Sequence, residues 1–250
     1  MDFATLMRRV VLSCLGMAIA LTGAVAVLLA FPEPLYAYQV AEGRLRLYSD
    51  HPFDPAHGRA ILDDIERRLD KAPAVLADPT SVYRIFVTNE DWRKRLVFLW
   101  SYGAGGLNYY PLGGGVFVRQ SDIEVNRVLR SNGTPVEPPR TLAYYSAHEI
   151  GHSLIARHIG ALANWRLPAW QREGLADWIG YGGEVDINDL MRAYRAGDPD
   201  LDPKQSGTYS RYRLLVAYFL RHEHWSVDQL LASGLSREDA ESRLVAGLPH

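Results

Sequence analysis

The sequence predicts an α+β domain carried behind a single N-terminal apolar helix. Three observations predict it. Residues 10–31 form an uncharged apolar run, strand-type alternation is confined to the first half of the remaining chain, and helical periodicity fills the second half. The chain has 250 residues, of which 48% are hydrophobic and 22% charged, so it can bury a core and is not disordered. Its formal net charge of −2 gives no electrostatic footprint for nucleic acid. The one basic run, Arg93-Lys94-Arg95, reads as a solvated helix face.

Residues 1–37 read as a membrane anchor or a signal peptide, and residues 38–250 as one domain. Arg8 and Arg9 precede an apolar run long enough to span a bilayer, which takes about 20 residues. No small-x-small site ends the run, which favours an uncleaved anchor over a cleaved signal. The two arginines would stay cytoplasmic, placing the rest of the chain on the extracytoplasmic side. Pro32 and Pro34 would end the span, with Tyr36 and Tyr38 at the membrane interface. The only cysteine, Cys14, lies inside the apolar run, so neither a disulfide nor a thiolate metal site is available to the domain.

Within the domain, Val40, Leu45 and Leu47 mark a strand or hairpin. Residues 57–72 form an amphipathic helix with Ile61, Leu62, Ile65 and Leu69 on one side. Tyr83, Ile85 and Val87 alternate as a strand, and residues 90–100 read as helix. The Gly-rich stretch after it lacks a Gly-Lys-Ser/Thr ending and is no phosphate loop; it turns a hairpin between 107–110 and 116–119. From residue 121 onward the pattern is mainly helical.

The chemistry lies in His148-Glu149-Ile150-Gly151-His152, within a helix predicted over residues 141–158. Leu142, Tyr145, His148, His152, Ile155 and Ile159 recur at three- and four-residue steps and share a face. Two histidines one turn apart can meet one metal ion. Glu149 is rotated by about 100° from its neighbour, off the ligand face, and suits a general base on the metal's water. A second helix begins near Pro168 and carries Glu173 and Asp177. Gly160, Asn164 and Pro168 mark a short turn that lets the helices lie side by side and aims Glu173 at the histidines. Two His, one Glu and a water make a tetrahedral zinc site, with one Zn2+ per chain. Asp177, one turn after Glu173, can accept the N–H of a ligand histidine; its bland reading is a solvent-facing carboxylate.

The pair His148-Glu149-x-x-His152 and Glu173-Gly174-x-Ala176-Asp177 resembles the gluzincin metallopeptidases, the thermolysin-like clan, and within it the short bacterial peptidase MA-like domains. The resemblance covers about residues 105–232. It implies a zincin-like fold, with Glu149 as base, Glu173 as third zinc ligand and Asp177 as the partner of His148. It also implies an edge strand before the metal helix that binds extended substrate, for which Val116-Phe117-Val118 is the candidate, with an ordinary core strand as its equal alternative, and a tyrosine that stabilises the oxyanion. Tyr209 matches that position better than Tyr212. The expected function is membrane-anchored hydrolysis of peptide bonds in a peptide or protein substrate. The alternatives are a catalytically silent binding or scaffold domain on a peptidase fold, and a zinc hydrolase of a non-peptide amide. His158, His222 and His224 read as surface residues.

Overall fold

The computed structural model describes residues 3–247 except 100, 131, 203–205 and 207. It is an α+β domain with a mixed sheet, preceded by one apolar helix, α1 (Phe3–Ala30). Residues Thr5–Ala30 of α1 are long and apolar enough to cross a membrane.

Strands β1 (Tyr38–Glu42), β2 (Leu45–Ser49), β3 (Tyr83–Thr88), β4 (Gly106–Asn108) and β5 (Gly115–Arg119) form one sheet in the order β1-β2-β3-β5-β4. The β1–β2 and β4–β5 pairs are antiparallel, while β2–β3 and β3–β5 are parallel. The parallel step from β2 to β3 needs a crossover, supplied by helix α2 (Pro55–Leu69). Asp54 caps α2 by accepting the Ala56 N–H, and Ile61, Leu62, Ile65 and Leu69 are its buried stripe.

The period-two alternation divides the strand side chains between two cores. Leu45, Leu47, Ile85, Val87, Val116 and Val118 face the main core. Phe86 and Phe117 point the other way and pack with Tyr36, Leu29, Val97 and Phe98. Phe86 is the hub of this second core, with ring centroids 5.0 Å from Tyr36, 4.8 Å from Tyr48 and 5.1 Å from Phe117.

Several expectations are corrected here. Tyr36 is no interfacial residue; it is buried, and its hydroxyl hydrogen-bonds Thr88 Oγ1 at 2.8 Å. The candidate edge strand 116–118 lies in β5, inside the sheet, and β4 is the edge. The run 93–95, in α3 (Asp91–Val97), is not a plain solvated face. Lys94 is buried, bonding Asp91 and Gln120, and Arg93 pairs with Asp50 at 3.6 Å. A short hairpin, β6 (Ser121–Asp122) with β7 (Arg127–Val128), opens the half that was expected to be mainly helical.

Helix α4 (Leu142–Ile159) runs through the centre, capped by Thr141, whose side chain accepts the Tyr144 N–H. The turn after it contains a further short helix, α5 (Ala161–Arg166). Helix α6 (Ala169–Gly180) then packs between α4 and α8 (Ser210–Ala217). Helices α7 (Ile187–Ala196), α9 (Val227–Ala232) and α10 (Arg237–Gly247) complete the fold.

Because Phe86 is fully buried among aromatic rings, Phe86→Ala should destabilise the domain by about 3–5 kcal/mol. Urea unfolding of the full chain in detergent measures this, and a loss below about 1 kcal/mol would contradict the packing described.

Candidate metal centre

Helix periodicity places His148 and His152 one turn apart on α4, with ring centroids 4.9 Å apart and planes at 87°. From α6, Glu173 Oε2 approaches both rings, 3.7 Å from His148 Nε2 and 3.4 Å from His152 Nε2. A tetrahedral zinc with ligands at roughly 2.0–2.1 Å holds its ligand atoms roughly 3.3–3.4 Å from one another. Both distances from Glu173 lie within a few tenths of an ångström of that spacing.

Glu149 also lies close, with ligand atoms of His148, Glu149 and His152 all within 4.8 Å. Glu173 is the better third ligand, because its carboxylate contacts both Nε2 atoms and Glu149 leaves α4 in another direction. Glu149 instead faces the edge strand. A Cβ at Gly106 would stand 2.8 Å from Glu149 Oε1, so any side chain at that position on β4 would push the Glu149 carboxylate aside. Burial pushes the Glu149 carboxyl up to about 7; His152 opposes the shift and Glu173 adds to it. Burial also disfavours charge on Glu173, but the charges and hydrogen bonds of His152 and His148 outweigh it and hold that carboxyl below the usual range. Two carboxyls on one site are thus driven apart, Glu173 toward the anion and Glu149 toward neutrality.

Against known protein families and curated proteins, the chain finds no match. The site therefore stands on its own geometry and donor chemistry.

Asp177 is buried, which removes the reading of a solvent-facing carboxylate. Its Oδ1 lies 3.7 Å from His148 Nδ1, a buried nitrogen with no other partner. A histidine that binds a metal through Nε2 carries its proton on Nδ1, and the orphaned atom faces the acceptor it would use. Asp177 is itself held twice. The Tyr144 hydroxyl donates to Oδ1, and Arg213 Nη1 donates to Oδ2 at 2.6 Å. The Arg213 guanidinium also lies 3.5 Å from the centroid of the Tyr181 ring.

Tyr209 lines the cleft and stacks on His148, ring centroids 5.7 Å apart and planes at 9°. Burial and the nearby Glu173 and Glu149 charges push its phenol up, so it stays protonated and able to donate. Tyr212 stacks behind Tyr209, away from the cleft. His158, His222 and His224 are exposed, as expected.

Asn108 was missed by the motif reading. Its Nδ2 donates to the Glu149 carbonyl and to Ser153 Oγ, both at 2.6 Å, and its Oδ1 accepts the Tyr110 N–H at 2.7 Å. One amide thus ties edge strand β4 to helix α4. Tyr144 and Arg213 were missed as well; a tyrosine or arginine inside a helix carries no motif that marks it as the partner of a distant aspartate.

His148→Ala and Glu173→Ala should each lose most bound zinc, measured by metal analysis of the purified full chain. Asp177→Ala should weaken zinc affinity by roughly ten- to a hundredfold. The change should also cost stability. Leaving the Arg213 charge buried and unpaired should cost about 3–5 kcal/mol in denaturation. Unchanged affinity and unchanged stability would return Asp177 to a passive role.

Proposed function

We propose that the chain is a zinc-dependent peptide hydrolase of gluzincin type, with a zincin-like catalytic domain held at a membrane by α1. The observation that carries this reading is the division of labour among four side chains. His148, His152 and Glu173 converge as ligands, while Glu149 stands beside them, outside the ligand set and tuned near neutrality. Zinc, when bound, would supply Lewis-acid polarisation of the scissile carbonyl and lower the pKa of water.

The chain's own residues do the rest. Glu149 takes the proton of the attacking water and passes it to the leaving amine; a carboxyl poised near 7 can do both at neutral pH. Tyr209, kept protonated, donates a hydrogen bond to the developing oxyanion. Asp177 keeps the Nδ1 proton on His148 and so fixes its tautomer. Edge strand β4 runs along the cleft, and an extended peptide can add to it as a further strand. An open cleft of about 1250 Å³ with a strand edge beside the base suits a polypeptide better than a small amide. Arg8 and Arg9 favour an extracytoplasmic catalytic domain, since basic residues flanking a span stay inside.

Glu149→Gln keeps the shape and removes the base. It should lower cleavage of a susceptible peptide by about two to four orders of magnitude, with zinc content and thermal stability near parent values. Activity that survives the change would rule out Glu149 as the base. A zinc-loaded parent that cleaves nothing in a broad peptide library would favour the scaffold reading.

The full chain should also resist extraction from membranes by alkali, with its domain open to added protease from the extracytoplasmic side. Release of a soluble form starting after residue 30 would show that the helix is a cleaved signal.

A further inference from the structure

We propose that the cleft selects chains carrying acidic side chains on one side of the reacting bond, the side toward the N-terminal end of α4. The proposal deepens the peptide-hydrolase reading and rests on it for the word cleavage alone. Apart from Glu149 and Glu173, every formally charged side chain lining the cleft among the described residues is an arginine: Arg119, Arg130, Arg140 and Arg172. Arg172 is taken up by Glu173, with Nε to Oε1 at 3.1 Å. The other three have no carboxylate partner among the described residues. Arg119 lies over the Tyr102 ring, 5.2 Å from its centroid, and Arg130 donates to the Pro135 carbonyl at 2.8 Å. Neither contact neutralises a charge. In a chain of net charge −2, this local excess of cations does not follow from composition.

The three guanidinium groups gather at one end of the cleft. Arg140 directly precedes Thr141, the cap of α4. Arg119 ends β5, and its backbone N–H donates to the Gly105 carbonyl at 2.9 Å, just before the edge strand begins. Gly105 in turn lies against Tyr145, one turn before Glu149; a Cβ at Gly105 would come 2.6 Å from its ring. Arg130 follows β7, whose Arg127 bridges to Thr141 at the same end of α4. Tyr110, Pro111, Ala156, Ala161 and Trp165, which line the cleft beyond Glu149, carry no formal charge, and Arg172 on the following helix is paired with Glu173. Trp165 there is 75% exposed.

A peptide laid along β4 therefore meets cations on one side of Glu149 and an apolar, aromatic wall on the other. Guanidinium groups without a carboxylate partner are open to substrate carboxylates, which would make charge-assisted hydrogen bonds to them. The partner chemistry is an acidic segment followed or preceded by an apolar one, in a single extended chain.

Two measurements on the full chain in non-ionic detergent test this. In the first, the parent digests a mixed peptide library, and acidic peptides are compared with their glutamine and asparagine counterparts. Acidic residues should be enriched on one side of the cut, with a preference of roughly ten- to a hundredfold that shrinks with added salt. Arg140→Gln and Arg119→Gln should each reduce that ratio several-fold. In the second, Glu149→Gln binds a fluorescent peptide with glutamates on one side of an apolar centre, or its glutamine counterpart, followed by anisotropy. Tighter binding of the glutamate peptide, lost in the arginine variants, supports the proposal even if nothing in the library is cut, an outcome that would overturn only the hydrolase reading. Equal affinity for the two peptides, or a preference that both arginine variants keep, overturns the charge selection.

Discussion

Glu173 reaches the two histidines only because α6 lies unusually close to its neighbours. A Cβ on Gly151 of α4 would meet the Ala176 Cα at 3.2 Å, and one on Gly174 of α6 would stand 2.6 Å from the Tyr212 carbonyl oxygen of α8. No ordinary side chain fits at Gly174, so α6 can be wedged between α4 and α8 only with glycine there. That closeness sets the spacing of the ligand atoms. It also brings Asp177, one turn further along α6, under His148 and within reach of Arg213 on α8. The candidate metal centre is in this sense a product of helix packing, its side chains supplied by two helices and braced by a third.

The brace is costly in isolation. Asp177 and Arg213 are both buried, and taking two charges out of water is repaid only when geometry is good and the remaining polar atoms are satisfied. Asp177 meets that condition, with Tyr144 and Arg213 on its oxygens; Arg213 does so less completely, since its Nε has no hydrogen-bond partner. A hydrophobic pair of similar volume would cost less to bury. Such a pair could not hold an acceptor at the back of His148, which gives the charged pair a reason to be there beyond stability.

The helices and the convergence of His148, His152 and Glu173 were legible in the sequence because their signals are local. The His148–His152 step and the Glu173–Asp177 step each need only helical geometry, and Pro168 and Thr141 mark where those helices begin. Strand order was less legible. Val116, Phe117 and Val118 alternate as well as any edge strand, yet they lie inside the sheet. Their place depends on β3 pairing on one side and β4 on the other, a long-range choice that alternation does not encode. Tyr36 failed for a related reason. An aromatic residue just past an apolar helix suits a membrane interface, but a cluster of Phe86, Tyr48 and Phe117 far along the chain offers it a better burial. The buried Lys94 and the paired Arg213 show the same limit, since charge patterning cannot name a partner that only folding supplies.

The contacts of Leu29 and Tyr36 with the second core have one further consequence. The last turn of α1 is part of the domain: Leu29 is buried beside Phe86, Glu33 pairs with Arg84, and the loop between β4 and β5 rests on the Ala30 backbone at Gly113. An enzyme on a flexible leash sweeps the volume around its attachment point and can meet substrates at many heights. A stem that runs directly into the sheet removes that freedom. In the membrane-anchored hydrolase proposed above, the cleft would stand at a fixed elevation and tilt above the lipid, and selection by distance from the bilayer would act before selection by sequence.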